Sequence, residues 1–396
     1  MKKNDINECR VALVTSAGFN QHWCGVSESL YQIACNMVNP VFVFTAGSYG
    51  LADKLSCQGI PVIILPFNPT EMRTFRKHSV WKQIKILFSV IHYIFKLYKK
   101  FKQYKIKIVY LTDIASFIGF FAAKLAGTKV VIGIRGEPSK KKSWLFLYYL
   151  CDRIIVLSKE MADKLLSSQS NSMKTKFIKK INVIYNGLNL NQAINKVYDS
   201  NLRESIGIGN KDIMLLYVGA IEPRKAQLEF IKFGIPRIVK YNPSIHIVFL
   251  GSAKTEADII YETECRRIST SSVYCEHIHF VGFQQNVWDW YAASDMVVLA
   301  SRSEGMPRTV IEAMSCGKPV VSYDVCSVKE LLQETEAGIV IPQGNIEGIA
   351  SAIVKLADNP VLRKKMGEIG RVYAASYLDI RQIAKQYDEL FFELCR

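Results

Sequence analysis

Short apolar, β-branched runs recur along this chain with helical-period stretches between them, and few folds accept that rhythm. In the first half the runs are Val11–Val14, Val41–Phe44, Val62–Leu65, Ile108–Leu111, Val130–Ile134, Ile154–Leu157 and Val183–Tyr185. The second half repeats the pattern at Met214–Val218, Ile245–Leu250, His279–Val281, Met296–Leu299, Val320–Tyr323 and Gly338–Ile341. Strands apolar on both faces belong in parallel sheets covered by helices on both sides. The expectation is an α/β protein of two doubly wound, Rossmann-like domains facing a central cleft. A length of 396 residues agrees, because single hydrophobic cores rarely grow that large. The polar stretch 191–211 reads as a linker between a first domain at 1–190 and a second at 212–377. A C-terminal helix over about 378–396 is expected to pack back on the first domain.

Charge is divided unevenly between those halves. Residues 1–200 hold 29 of the 51 Lys and Arg but only 11 of the 35 Asp and Glu, so the whole formal excess of +16 lies there. A basic first half points to an anionic partner, nucleic acid or membrane surface, or else to solubilising lysines on exposed helices. No apolar run reaches the ~18 residues of a membrane span. Asp5 and Glu8 interrupt the basic start, so no secretory signal is expected. The ten cysteines include no C-x-x-C pair and no metal-ligand spacing. They read as reduced thiols of a cytosolic protein, without a zinc site.

The segment SRSEGMPRTVIEAMSCGKPVV at 301–321 sits oddly in this alternation. Met296–Leu299 is a strand, 300–307 its outgoing loop, and Thr309–Met314 the following helix, with Pro307 suited to a first-turn position. In open α/β sheets, ligands bind where such loops run into helix N-termini. Gly305 allows close backbone approach, and the unpaired N–H groups of the helix start favour phosphate. Glu304 in the loop and Glu312 about a turn into the helix can both point into one site. Carboxylates beside phosphate are costly unless they accept hydrogen bonds from sugar or ribose hydroxyls, so the pieces describe a nucleotide-sugar pocket. The bland alternative for Glu312 is an exposed helix carboxylate.

The pattern E-G-x-P-x-x-x-x-E-A-M-x-x-G-x-P-V-V resembles the signature of the family 4 glycosyltransferases, also called group 1, which have the GT-B fold. The resemblance extends through most of the chain. Ile181–Asn189, INVIYNGLN, resembles the family's V-I-x-N-G-V-D stretch, and Tyr217–Lys225, YVGAIEPRK, resembles V-G-R-L-x-x-x-K-G. Phe280–Phe283 resembles the loop where the base binds, which makes Phe283 a candidate for that contact.

The resemblance implies roles at matching positions. Arg224 and Lys225, after the first strand of the second domain, would grip a departing diphosphate. Glu304 would contact the donor sugar and Glu312 the ribose hydroxyls. Gly305 and the amides near Met306, Thr309 and Val310 would meet phosphate or sugar. This chain departs from the pattern at Ala220, where relatives carry an arginine that Arg224 would replace, and at Ala226, where they carry glycine. The first domain matches less well. Within Gly18–Glu28 the family's Gly-Gly pair, which lies close to the donor phosphate, reads Cys24-Gly25, so only Gly25 is carried over to that role. Where many relatives have a histidine beside the acceptor, the sequence reads Ile134-Arg135-Gly136-Glu137. Arg135 would bind an acceptor phosphate, Glu137 would act as base, or Arg135 would pair with Glu137 or Glu160 to hold the loop.

The implied activity is a retaining, metal-independent transfer from a nucleotide-diphosphate sugar, UDP with GDP as the alternative, and no cofactor is required. No Asp-x-Asp, Walker A or complete dinucleotide fingerprint is present, which disfavours a metal-clamped transferase, a kinase or a dehydrogenase. The implied acceptor is a glycan or lipid-linked oligosaccharide in surface polysaccharide assembly, with an anionic membrane surface rather than nucleic acid as the further partner. That places the protein on the cytoplasmic face of a membrane. A nucleotide-sugar 2-epimerase is a rival within the fold. A polyanion or membrane-surface binding protein with a disabled pocket is a rival outside it.

Lys82–Lys107 carries a further signal. At ~100° per residue, Lys85, Ser89, His92, Lys96, Lys99 and Gln103 form one stripe, while Leu87, Val90, Ile91, Ile94, Leu97, Tyr98 and Phe101 fill the opposite side, widened by Phe88 and Phe95. Such a helix fits a membrane surface, with Lys140-Lys141-Lys142 as an added basic loop. The alternative is that the domain's own sheet covers the entire apolar side.

Overall fold

The computed structural model describes residues 9–15, 25–47, 50–68, 74–75, 78–112, 116–138, 142–167, 169, 171–191 and 201–396. The chain divides into two compact units, Met1–Gly187 with Ile380–Arg396, and Leu188–Asp379. Residues 16–24, Lys140, Lys141 and positions 192–200 of the expected linker lie outside the described residues.

The first unit is built on β1 (Val11–Thr15), β2 (Val41–Thr45), β3 (Val62–Ile64), β4 (Ile108–Leu111), β5 (Lys129–Ile134), β6 (Arg153–Val156) and β7 (Ile181–Val183). All pair in parallel, in the order β3-β2-β1-β4-β5-β6-β7. The intervening helices are α1 (Gly25–Asn36), α2 (Leu51–Cys57), α3 (Val80–Gln103), α4 (Ser116–Ala126), α5 (Lys142–Leu150), α6 (Lys159–Ser167) and α7 (Asn171–Ile178). Nearly every residue of β1, β4 and β6 is buried, as expected of parallel strands with helices on both faces.

The second unit contains β8 (Ile213–Val218), β9 (Ile245–Leu250), β10 (Ile278–Gly282), β11 (Met296–Leu299), β12 (Val320–Tyr323) and β13 (Gly338–Ile341), parallel in the order β10-β9-β8-β11-β12-β13. Its helices are α8 (227–241, with a π-helical turn at Phe230–Gly234), α9 (Glu256–Thr270), α10 (Val287–Ala293), α11 (Arg308–Ser315), α12 (Ile346–Ala357) and α13 (Pro360–Tyr377). The α/β expectation of two parallel sheets holds. The last helix, α14 (Ile380–Cys395), belongs to the first unit, where Ile383, Tyr387 and Phe391 join the core of β1, β4 and α1.

Tyr110 explains a glycine inside a strand. A side chain at Gly133 in β5 would overlap the hydroxyl of Tyr110 from β4, so the neighbouring strand leaves its side-chain space to the tyrosine ring. That hydroxyl in turn reaches Arg135, just past the end of β5. Cysteine chemistry departs from expectation. Cys9, before β1, and Cys395, at the end of α14, form a disulfide with their Cα atoms 6.0 Å apart, so the reading of all ten as reduced thiols is corrected.

In the second unit, three histidines meet at the amino ends of β9 and β10. His246 Nδ1 lies 3.1 Å from His279 Nε2, and the His246 and His277 rings stack with centroids 4.9 Å apart. Burial, then His246 and His277, push His279 down from 6.5 to about 4. Burial and His277 lower His246 as well, against the pull of Asp212. A histidine held neutral stabilises the fold fully above its ordinary value. That contribution is lost as protons are taken up between pH 6.5 and about 4, where the unfolded chain binds more of them. Melting temperature is therefore expected to fall through this window. His279→Gln should flatten the slope, and an unchanged slope would refute the assignment.

Candidate active site

Strand order fixes where a site can form in the second unit. β8 lies between β9 and β11, so the chain leaves β8 towards one edge of the sheet and leaves β11 towards the other. The outgoing loops of β8 and β11 thus flank the topological switch point, where a crevice opens at the strand ends.

The β8 loop brings two cations there. Gly219 takes φ +150°, and the aliphatic stem of Lys225 packs 3.3 Å from the position its Cβ would occupy. Pro223–Lys225 form a 3₁₀ turn opened by proline, and Ala226 closes it at φ 57°. Relatives' glycine at this position is explained by that left-handed backbone, which an alanine adopts only at a cost of about 1 kcal/mol. The Tyr217 hydroxyl donates to the Lys225 carbonyl, and the Gln227 amide donates to the Ala220 carbonyl at 2.8 Å.

The β11 loop supplies the opposing charge. Glu304 accepts from Lys225 Nζ at 2.7 Å and pairs with Arg224 Nη1 at 3.1 Å. Both the Lys225 and the Glu304 side chains are only 10% exposed. Arg224 also holds Glu222 and donates to the Ser303 carbonyl at 2.9 Å, and the Arg302 amide donates to the Arg224 carbonyl at 2.8 Å. The loops are stitched together by backbone and charge. Burial by itself would raise the Glu304 carboxyl, but Lys225 and Arg224 outweigh it and hold it below the ordinary carboxylate range.

One turn into α11, Glu312 is clamped on both oxygens. The Tyr291 hydroxyl from α10 donates to Oε2 at 2.9 Å, and Arg308 Nε lies 3.6 Å from Oε1. Burial and Glu312 together push Tyr291 well above its ordinary value, so it stays a neutral donor. With its side chain 14% exposed, Glu312 is not a free surface carboxylate. The loop between the glutamates is pinned by the Ser327 hydroxyl, which donates to the Gly305 carbonyl at 3.0 Å. Met306 and Thr309 are buried beside it. Two expectations need correction. Pro307 precedes α11 rather than opening its first turn, and the Val310 amide already donates to the Pro307 carbonyl at 3.1 Å, so it is not an unpaired phosphate donor.

The remaining candidates lie elsewhere. Phe283 follows edge strand β10 and is 72% exposed. Gly25 is the exposed first residue of α1 in the first unit. Arg135, also in the first unit, meets no carboxylate among the described residues. Its Nη1 donates to Ser29 Oγ at 2.8 Å and Asn186 Oδ1 at 2.9 Å, and its Nη2 to the Tyr110 and Tyr387 hydroxyls at 3.1 and 3.4 Å. The expected pairing with Glu137 or Glu160 is replaced, because both of those carboxylates pair with Lys164. Sequence reasoning missed Tyr291 and Arg308. Arg308 carried a signal in its i,i+4 spacing to Glu312, whereas Tyr291 on another helix carried none. Among the described residues no group of three or more His, Cys, Asp or Glu could hold a metal ion.

Residues 199–373 match the family described as Glycosyl transferases group 1, which includes the β8 loop and both glutamates. An Escherichia coli UDP-Gal:alpha-D-GlcNAc-diphosphoundecaprenol alpha-1,3-galactosyltransferase is 28% identical over 75% of each chain. Among solved structures, Anabaena HepE in complex with UDP superposes with a TM-score of 0.79 at 19% identity, over 97% of this chain and 100% of that one. A Rickettsia africae glycosyltransferase gives 0.82 at 16% identity, over 98% and 99%. Residues 199–373 thus carry the group 1 glycosyltransferase match, and the chain's seven- and six-stranded parallel sheets are those of the GT-B fold.

Proposed function

We propose that this chain is a retaining glycosyltransferase that moves a sugar from a nucleoside-diphosphate sugar to a glycan or lipid-linked acceptor in surface polysaccharide assembly. The observation that carries the reading is the convergence of Arg224 and Lys225 on Glu304 at the switch point, with Glu312 oriented by Tyr291 and Arg308 on the adjoining helix. A diphosphate entering this crevice meets Lys225 and Arg224, which stabilise the charge that builds on it as the bond to the anomeric carbon breaks. Glu312 accepts from the ribose hydroxyls, Glu304 from the donor sugar, and Gly305, Met306 and Thr309 border the phosphates. Phe283 covers the base. Two side-chain cations here supply the charge stabilisation, so turnover needs no divalent ion and no cofactor.

The donor is a UDP sugar in this reading, with GDP as the alternative. UDP bound to the Anabaena protein and the UDP-Gal named for the Escherichia coli relative support that choice. The second unit takes the donor, Gly25 is kept as a donor-phosphate candidate, and the basic surface of the first unit takes the acceptor. A lipid-linked acceptor would bring the protein to the cytoplasmic face of a membrane, whose anionic surface is the third partner. The test is turnover of a panel of UDP and GDP sugars in the presence of a chelator, followed by the anomeric coupling constant of the product. Retained configuration without added metal is expected. Inversion would contradict the mechanism, and no turnover of any sugar nucleotide would contradict the reading.

A further inference from the structure

Helix α3 exposes more apolar side chain than any requirement of its own fold explains. Its contact with the rest of the first unit is made by one line, Ile86, Tyr93, Leu97 and Phe101, which are the buried residues of the helix. The sheet and its covering helices therefore do not consume the whole apolar side. A second apolar arc lies next to that line and faces outward. In it Trp81 is 79% exposed, Phe88 68%, Leu87 55% and Phe95 52%, with Ile84 and Ile91 also exposed. Around the cylinder this arc is bordered by a third, made of the exposed Lys85, His92, Lys96 and Lys99. In cross-section the helix is thus one part core, one part bare hydrocarbon and one part positive charge. Neighbouring α4, which packs along α3, adds the exposed Phe121 and Leu125.

Scattered surface hydrophobes are ordinary, but a continuous arc of six on one helix marks a contact surface. The lysines beside it select the occupant. A hydrocarbon face flanked by cations matches the boundary of an anionic leaflet, where acyl chains meet negative headgroups. No helix among the described residues is long and apolar enough to cross a membrane, and α3 at ~36 Å is long enough to lie along one.

We propose that the outward arc of α3 docks the first unit on an anionic lipid leaflet, with Trp81, Phe88 and Phe95 entering the acyl boundary and Lys85, Lys96 and Lys99 meeting headgroups. The inference deepens the functional reading above by naming the surface that meets its membrane partner. Vesicle binding is measured without donor or acceptor, so its failure would leave the transferase reading standing, and absence of transfer would leave the docking standing.

The experiment compares full-length protein on phosphatidylcholine vesicles and on phosphatidylcholine–phosphatidylglycerol vesicles by co-sedimentation. The wild type is expected to bind the mixed vesicles, to bind the neutral ones weakly, and to be released by salt. Phe88→Glu with Phe95→Glu, and separately Lys85→Glu with Lys96→Glu and Lys99→Glu, should each lower the bound fraction on the order of tenfold. These positions are exposed, so circular dichroism and the melting temperature should stay at wild-type values. As a second measurement, mixed vesicles should blue-shift the tryptophan emission, and Trp81→Phe should abolish that shift. Binding to neither vesicle, equal binding to both, or binding unaffected by the substitutions would overturn the proposal. So would a dimer in solution that Phe88→Glu with Phe95→Glu dissociates while vesicles bind nothing, because a second copy would then cover the arc.

Discussion

Replacing Lys225 with methionine is expected to lower sugar transfer at least ~10²-fold, the scale for losing one positioned contact to charge that develops during reaction. Such a loss could have a trivial origin, since Lys225 is also the 2.7 Å partner of a largely buried Glu304. Removing one member of a buried pair leaves the other uncompensated, whereas removing both is often nearly neutral. Lys225→Met should therefore lower stability as well as turnover, and adding Glu304→Gln should restore most of the stability. Transfer should stay low in the double variant, because the diphosphate has still lost its cation. Recovery of transfer together with stability would mean that Lys225 acts only as a counter-ion. The pair has its own pH signature. The depressed Glu304 carboxyl contributes stability above the ordinary carboxylate range, and this is lost as pH falls through its lowered folded value.

The second large effect concerns folding rather than chemistry. Arg135→Ala should destabilise the first unit by about 3 kcal/mol, because Ser29, Asn186, Tyr110 and Tyr387 would each lose a charged donor, at about 1.5–3 kcal/mol per such bond, and the Ser29–Asn186 and Tyr110–Tyr387 bonds that remain offset only part of that. All four partners are buried, and they come from α1, β4, α14 and the segment after β7. The guanidinium is the point where these elements are joined. Arg135→Lys should recover little, since one ammonium cannot reproduce two forked donors aimed at four oxygens. Melting should fall by about 5–10 °C in Arg135→Ala. If Arg135 instead served chiefly as an acceptor-phosphate ligand, the melting temperature would hold while the acceptor KM rose.

The strands were legible because a parallel strand buried on both faces is apolar at nearly every position, as the runs Val11–Val14 and Met296–Leu299 are. The pairing of Glu304 and Glu312 around Gly305 and Pro307 was legible for a related reason, since loop, helix start and charge fall within one short segment. What spacing does not carry is contact between distant elements. Tyr291 reaches Glu312 from α10, and the four partners of Arg135 lie between positions 29 and 387, so no local pattern announces them. The Val310 amide was misjudged because the first turn of α11 tightens onto the Pro307 carbonyl, a detail of backbone curvature. Periodicity showed α3 to be apolar on one side. How much of that side the unit would cover depended on how deeply the helix sits, and one line of four residues proved to be enough.

Arg224 and Lys225 at the β8–β11 switch point are expected to grip a diphosphate. Calorimetric titration of UDP and of uridine into the wild-type protein, with a chelator present, measures that grip. UDP should bind much more tightly than uridine, and Lys225→Met should remove most of that difference while leaving the uridine affinity unchanged. Equal affinities for UDP and uridine, or a preference for UDP that survives the substitution, would contradict it.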